Sequence, residues 1–283
     1  MQSGKLIGID LGATNIRGGL VSGKTIDNLK ANIIRRNGTA EEVLDDVFRL
    51  TDQLVDKEIV SIGIGVPSVV DTKLGIVYDA QYIPAWKEMP LKKRMEERYK
   101  VPVFVNNDAN CFALGEYYYG KGQGYDSMIG VTIGTGLGSG IIINNKLYAG
   151  TNCGAGEFGM AEYLDKIYEY YCSGSFFQNV YGLNGQDVFK AAQKGEPEAL
   201  RLYHEMGGHL GNAIKLMMYT YDPELIILGG SVRFAYDFFQ KAMWERVMSF
   251  VFSKAKERLQ IKLSDLENSG ILGAAGLYHD ALA

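Results

Sequence analysis

Residues 7–21 read IGIDLGATNIRGGLV, and residues 129–143 read IGVTIGTGLGSGIII. At an offset of 122 positions, Ile7, Gly8, Gly12 and Gly18 fall on Ile129, Gly130, Gly134 and Gly140, and apolar positions fall on apolar positions. A stretch that recurs in this way is a duplicated structural unit. Each copy predicts two short strands joined by a glycine-bearing turn, because β-branched residues alternate on either side of it. Without a Cβ, backbone amides at such a turn can approach an anion closely. Two turns of this kind, one from each half of a duplicated fold, could grip a polyphosphate from both sides. The first copy adds Asp10 at the strand end with Thr14 and Asn15 in the turn, and the second adds Thr132 and Thr135. A carboxylate and hydroxyls beside an amide cradle suit a hydrated Mg²⁺ carried by a nucleotide, since Mg²⁺ prefers oxygen and keeps most of its water. The plainer alternative for GTGLGSG is a tight hairpin.

The whole chain, 283 residues, suits two domains of ordinary size or one large one. At that length roughly three quarters of the unfolded surface can be buried, so no disulfide or metal staple is required. A composition of 47% hydrophobic and 22% charged residues with six prolines is that of a globular chain without disordered linkers. The net charge of −4, with no lysine or arginine stripe, argues against nucleic-acid binding. Cys111, Cys153 and Cys172 are widely spaced with no CxxC, and read as reduced thiols. The start, MQSGKLIGID, lacks a signal-peptide apolar run, and no window approaches the ~18 apolar residues of a membrane span. A cytoplasmic protein with no membrane partner is expected.

Further along, Thr39 and Glu42 have capping-box spacing ahead of a helical apolar period, predicting a helix over about 40–57. IVSIGIGVPS is a buried-strand pattern, and strand, helix, strand indicates an α/β architecture. Residues 71–90 read as irregular and able to form a flap. Pro90 opens a charged helix, and VPVFV is a short strand that delivers NNDANCFALGEYYYG. Asp108 therefore falls at a strand end and a helix N-terminus, where exposed amides and the macrodipole favour a carboxylate. Read locally, Asp108 is also a plain N-cap. Glu157 lies among small residues in GAGEFGM, and a loop carboxylate in water is its plain reading. Helices are predicted over 186–194 and 197–221. The strand PELIILGG ends in Gly229 and Gly230, placing backbone against something flat at a strand's carboxyl end, where open α/β sheets bind ligands.

Other motif matches fail. Gly115 to Lys121 fits GxxxxGK, but Gly122 replaces the required Ser or Thr and the stretch reads as helical. GTGLGSG misses GxGxxG at Ser139. His204, His209 and His279 share no metal-ligand spacing and read as ordinary helix residues.

Taken together and in order, DLGATNIRGG, VNNDAN, GTGLGSG, GEFGM, PELIILGG and GAAGL cover essentially the whole chain and resemble the ROK family of sugar kinases. That family lies within the actin-like ATPase fold shared by hexokinases and heat-shock chaperone ATPases. The resemblance implies a duplicated, ribonuclease H-like fold with two α/β domains around a cleft, divided as 1–108 and 109–283, with the C-terminal helix able to pack back on the first domain. It implies ATP and Mg²⁺ as cofactors. Asp10 would face Mg²⁺ through water; Gly12, Thr14 and Asn15 would line one side of the phosphates, and Gly134, Thr135 and Gly136 the other. Gly229 and Gly230 would lie against the adenosine. Asp108 would be the general base, and Asn107, Asp108, Glu157 and Glu169 would bind the sugar. An ionised carboxylate can orient a sugar hydroxyl and accept its proton as the γ-phosphoryl group transfers.

The departures are specific. The family histidine after Glu-x-Gly is Met160, and the cysteine-rich segment is replaced by AEYLDKIYEYYCSG. Cys172 alone cannot hold a structural zinc, which takes four ligands. No zinc is therefore expected, with tyrosines, Leu164 and Ile167 packing the loop. Tyr82, Ile83, Pro84 and Trp86 mark a second change on the expected sugar side. The expectation is phosphorylation of a hexose, with glucose first and N-acetylmannosamine, N-acetylglucosamine, fructose or mannose as alternatives. A non-catalytic sugar sensor is a further alternative. A sugar-responsive transcriptional repressor is a competing class within the family; such members carry a DNA-binding helix-turn-helix before the first glycine turn, and with Asp10 so early in this sequence that reading is not expected. Exposed aromatics and the resemblance favour a homodimer.

Overall fold

The structure is a computed structural model that describes residues 4–12 and 14–283; Ala13, in the first glycine turn, lies outside them. In chain order the elements are β1 (Lys5–Leu11), β2 (Asn15–Ser22), β3 (Thr25–Ile33), α1 (Ala40–Asp52), β4 (Ile59–Val66), β5 (Val69–Asp71), β6 (Ile76–Tyr78) and β7 (Glu88–Met89). Then come α2 (Leu91–Tyr99), β8 (Val103–Asn107), α3 (Asp108–Tyr119), β9 (Met128–Ile133), β10 (Leu137–Ile143) and β11 (Lys146–Leu147). They are followed by β12 (Glu162–Tyr163), β13 (Lys166–Ile167), α4 (Tyr168–Cys172), α5 (Phe176–Tyr181), α6 (Gly185–Gln193) and α7 (Pro197–Tyr221). The chain closes with β14 (Leu225–Gly229), α8 (Tyr236–Met248), α9 (Ser253–Arg258), β15 (Gln260–Leu263) and α10 (Ser269–Leu282).

Two five-stranded sheets repeat one topology. The first is ordered β3-β2-β1-β4-β8 and the second β11-β10-β9-β14-β15. In the first, β1 runs antiparallel to β2 and parallel to β4, which is parallel to β8. In the second, β14 runs parallel to both β9 and β15. The duplication holds in register: β1 ends at Leu11 and β9 at Ile133, while β2 starts at Asn15 and β10 at Leu137, so each pair is again 122 residues apart.

By contacts the chain divides into two compact units. The first contains Met1–Asp126, Gly140–Ala155 and Asp265–Ala283, and the second Ser127–Ser139 and Gly156–Ser264. Compared with the expected division at residue 108, the first unit also takes in α3, the segment 140–155 and α10. Backbone-to-backbone packing explains this membership. A Cβ on Gly8 of β1 would lie 2.0 Å from the Ile271 carbonyl oxygen of α10, and one on Gly63 of β4 would lie 1.7 Å from that of Ala274. A Cβ on Gly273 of α10 would lie 1.5 Å from the Cys111 carbonyl oxygen of α3. Small residues thus let α10 press against sheet and helix at once. On the other face of this sheet, α1 buries Val43, Val47 and Leu50 in the same core as Ile7, Ile9, Ile62 and Ile64.

Helix ends follow their capping chemistry. The Thr39 hydroxyl accepts from the Glu42 N–H, and the Glu42 carboxylate accepts from the Thr39 N–H at 2.7 Å, forming a capping box. The helix stops at Asp52, short of the expected 57. Its cap, Gln53, donates its N–H to the Leu50 carbonyl at 3.2 Å, and Asp56, beyond the end, forms a 2.8 Å ion pair with Lys5 at the start of β1. Residues 71–90, expected to be irregular, hold β6 and β7, which with β5 just before them form a small antiparallel sheet. Ile83 and Trp86 are fully buried there, and the Trp86 indole N–H donates to the Ala40 carbonyl at 3.1 Å. In the second unit, α7 starts at Pro197 and ends in left-handed Asp222. It packs on α8 through Gly207 and Gly211, where a Cβ would lie 2.3 and 2.5 Å from carbonyl oxygens of Phe239 and Met243. Among the described residues no helix is long and apolar enough to cross a membrane.

Candidate active site

In the first unit, parallel pairing aligns Asp10 of β1 with Gly65 of β4, and Gly65 with Asn106 of β8. Asp10, Asn107 and Asp108 therefore gather at the carboxyl ends of neighbouring parallel strands, the usual ligand-binding edge of such a sheet. Asp10 stands opposite Arg17 in the β1–β2 register, and the two form a 2.6 Å ion pair. Arg17 was missed in the sequence. Its signal was available, because opposite charges at mirrored positions about a predicted hairpin turn are cross-strand partners. The turn itself is closed by Gly12 N–H donating to the Asn15 carbonyl at 2.9 Å, and the Asn15 amide donates to the Thr14 hydroxyl at 3.1 Å.

Asp108 is the first residue of α3, and the cap is Asn107. The Asn107 side-chain oxygen accepts from the N–H groups of Ala109 (2.9 Å) and Asn110 (3.3 Å), satisfying two otherwise unpaired donors of the helix start. Its amide nitrogen donates to the Ser68 carbonyl at 3.4 Å. The exposed Asp108 carboxylate accepts from Ala109 N–H at 2.9 Å and lies at the positive end of the helix.

Beneath this corner is a buried network that the sequence did not announce. Asn106 Oδ1 accepts from the Asn107 N–H (2.8 Å), the Asn110 amide (2.9 Å) and the Cys153 thiol (3.1 Å). Cys153 itself has a left-handed φ of 58°. Cys111, wholly buried, has its thiol pKa raised by burial, with the Asp108 and Asp10 charges adding to the effect.

The second unit carries the other glycine turn. Gly134 N–H donates to the Gly136 carbonyl at 3.0 Å, and a Cβ on Gly134 would meet nothing within 4 Å. The segment 169–175 is fastened to this turn at three points. Glu169 Oε2 accepts from Leu137 N–H at 2.9 Å, Gly174 N–H donates to the Gly134 carbonyl at 2.7 Å, and the Ser175 hydroxyl donates to the Thr135 carbonyl at 2.7 Å. Gly229 at the end of β14 pairs with Thr132, and Gly230 has a φ of 76° that favours glycine. A Cβ on Gly230 would lie 2.3 Å from the Ile133 carbonyl oxygen.

Glu157 precedes a single 3₁₀ turn, Phe158–Met160. Gly156 and Gly159 seat it, since a Cβ on either would lie 2.6 or 2.3 Å from the carbonyl oxygens of Ser139 and Leu137 at the start of β10. Although the Glu157 side chain keeps solvent contact, surrounding protein raises its carboxyl pKa, and the nearby Glu169 charge raises it further. The second unit thus brings Glu157, Glu169 and the glycine turn together.

The loop expected to replace a zinc site is partly as anticipated. Tyr163 stacks on Tyr168 at 4.2 Å with a 14° interplanar angle, and the Tyr163 hydroxyl meets His209 Nδ1 (3.1 Å) and the Asn212 amide (2.8 Å). Leu164, expected to pack, is instead 68% exposed, because it occupies a left-handed position at the tip of the β12–β13 hairpin. Met160 is also exposed, and Cys172 is fully buried with its thiol pKa raised by that burial. Among the described residues no group of three or more His, Cys, Asp or Glu is arranged to hold a metal ion. A cavity of about 320 Å³ lined by Tyr163, His204, His209, Asn212 and Arg246 includes none of the predicted site residues.

Residues 6–281 match the ROK family. The chain belongs to the ROK family. The glucokinase of Thermotoga maritima is 29% identical, over 98% of this chain and 98% of its own length. A crystal structure of a ROK glucokinase from Streptomyces griseus, in complex with glucose and AMPPNP, is 29% identical and superposes with a TM-score of 0.80, covering 97% of this chain and 99% of that one. The xylose repressor of Bacillus subtilis is 27% identical over 99% of this chain and 78% of its own length. This ROK chain has the actin-like ATPase fold of the sugar kinases, whose solved relatives share its α/β architecture.

Proposed function

We propose that the protein is an ATP-dependent hexose kinase, with glucose as its first substrate. The observation that carries the proposal is the β8–α3 corner: Asn107 caps the helix and Asp108 stands at its first position, exposed and at its positive end. In this reading Asp108 is the general base. It orients a sugar hydroxyl and takes its proton while the hydroxyl oxygen bonds to the γ-phosphorus and the bond from that phosphorus to the β–γ bridging oxygen breaks, releasing ADP. Asn107 and the carboxylates of Glu157 and Glu169 receive sugar hydroxyls, each charged acceptor supplying about 1.5–3 kcal/mol.

The residues fit a nucleotide with Mg²⁺. Open space over Gly134 leaves its turn approachable, and the donors near the first turn, the Asp10 carboxylate and the Thr14 hydroxyl, are oxygens. The metal would neutralise phosphate charge. Asp10, Gly12, Thr14, Asn15, Gly134, Thr135 and Gly136 would hold the phosphates, and Gly229 and Gly230 the adenosine. The Arg17 ion pair keeps the Asp10 carboxylate oriented for that task.

The test is ADP release from Mg·ATP across hexoses and N-acetylhexosamines, with Asp108→Asn protein as the blank. Turnover with one sugar should fall about 10²- to 10⁴-fold in the variant. Wild-type turnover in the Asp108→Asn protein would remove the base assignment. A sugar sensor is the second reading, supported by exposed Met160 in place of the family histidine and by the likeness to a xylose repressor. It predicts sugar binding without turnover.

A further inference from the structure

We propose that Glu169 joins sugar binding to the second glycine turn, so that sugar and nucleotide each tighten the binding of the other. The proposal rests on the reading that Glu169 receives a sugar hydroxyl. It goes beyond it in making the same carboxylate a positioning group for the turn.

The geometry divides the carboxylate. Oε2 is held by the Leu137 N–H at 2.9 Å, in a charge-assisted bond to the first residue of β10. A Cβ on Gly136 would stand 2.5 Å from that oxygen and 3.2 Å from the carboxyl carbon. Gly136 therefore lacks a side chain because Glu169 fills the space, independently of any phosphate. Oε1 is the oxygen left for a ligand hydroxyl. The backbone behind Glu169 is fixed to the same turn through the Gly174–Gly134 and Ser175–Thr135 bonds, both 2.7 Å. At its other end the segment is held by Tyr168, whose N–H donates to the Ala161 carbonyl at 3.0 Å and whose ring stacks on Tyr163.

A hydroxyl donated to Oε1 fixes the carboxylate rotamer, and with it the Leu137 amide that follows the turn. A phosphate seated on the turn orders the same backbone through other N–H groups of the turn, the Leu137 hydrogen being already given to Glu169. Each ligand then meets a carboxylate and turn already ordered by the other, and the coupling is reciprocal by linkage.

Calorimetry with glucose and Mg·AMPPNP tests this on the full chain. In the wild type, saturating AMPPNP should tighten glucose binding by about fivefold or more, with the same factor for AMPPNP when glucose is present. Gly136→Ala, which pushes the carboxylate aside, should weaken glucose by roughly tenfold and bring the coupling factor close to one. Glucose affinity and coupling at wild-type values in Gly136→Ala would overturn the proposal. Glu169→Ala provides a second reading that needs no sugar: without its anchor the turn should bind AMPPNP several-fold more weakly. Unchanged AMPPNP affinity there would also overturn it. If the wild type binds no sugar, the kinase reading fails, while the AMPPNP response of Glu169→Ala still decides the link to the turn.

Discussion

Gly134→Ala separates folding from nucleotide binding, because the structure gives the added methyl nothing to strike. No heavy atom lies within 4 Å of its position, and Gly134 does not occupy the left-handed region. Folding should therefore tolerate it. Loss of unfolded-state freedom stabilises such a variant by about 0.4–1 kcal/mol, or roughly 1–4 °C in Tm for a chain of this size. Binding should not tolerate it. The space the methyl enters is the approach of an anion to the turn amides, and losing one charge-assisted hydrogen bond costs about 1.5–3 kcal/mol, a roughly ten- to hundredfold weaker Kd. Titration calorimetry with Mg·AMPPNP and a thermal melt on the same preparation give both quantities. Gly230→Ala is the contrast: its φ of 76° and the 2.3 Å approach to the Ile133 carbonyl oxygen predict loss of stability as well. Wild-type nucleotide affinity in a well-folded Gly134→Ala protein would refute the assignment of this turn to phosphate.

Gly63→Ala would force α10 away from β4, since a Cβ stands 1.7 Å from the Ala274 carbonyl oxygen. Overpacking costs typically about 1–3 kcal/mol, and contact with rigid backbone puts this case at the upper end, so Tm should fall by roughly 6–12 °C; a fall under about 2 °C would refute the close packing. The Glu157 carboxyl, though it keeps solvent contact, is shifted above its ordinary value, first through desolvation by the surrounding protein and then through the Glu169 charge. The folded chain thus binds this proton more tightly than the unfolded one, so the group's destabilising contribution grows as pH rises from the unfolded to the folded pKa and vanishes below both. Glu169→Gln should lower the Glu157 pKa in a carboxyl-carbon NMR titration, and an unmoved midpoint would show that the two carboxylates do not interact. Metal analysis of purified protein should find no stoichiometric zinc; one zinc per chain would mean that ligands other than Cys172 assemble a site.

What the sequence made legible was local. Glycine spacing and β-branched alternation are set by neighbours along the chain, so both hairpins appear where they were expected, with equivalent strand ends. Thr39 with Glu42, and Pro197, mark helix starts for the same reason. Competition with distant partners was hidden. The apolar period of α1 continues through Leu54, which is indeed buried, but the helix tightens before it, with Gln53 and Leu54 N–H groups turning back to the Leu50 and Thr51 carbonyls at 3.2 and 2.9 Å. Trp86 and Ile83 looked like flap residues in a turn-rich stretch until three short strands gave them a core to enter.

The candidate site shows the same division. Asp10, Asp108 and the glycines could be named because motif and local geometry coincide, and Arg17 could have been paired with Asp10 from hairpin register alone. Glu169 and Leu137 are 32 positions apart, and Asn106 and Cys153 are 47 apart, with no periodicity connecting either pair. Such links exist only once the fold has formed. The placement of the cap on Asn107 also decides how the central test can be interpreted. Had Asp108 been the N-cap, truncating it to alanine would have cost about 0.5–2 kcal/mol of helix stability, and lost activity could have been lost structure. With two helix-start N–H groups already accepted by Asn107, Asp108→Asn leaves the cap in place. A fall in turnover at unchanged Tm then belongs to the chemistry of the carboxylate.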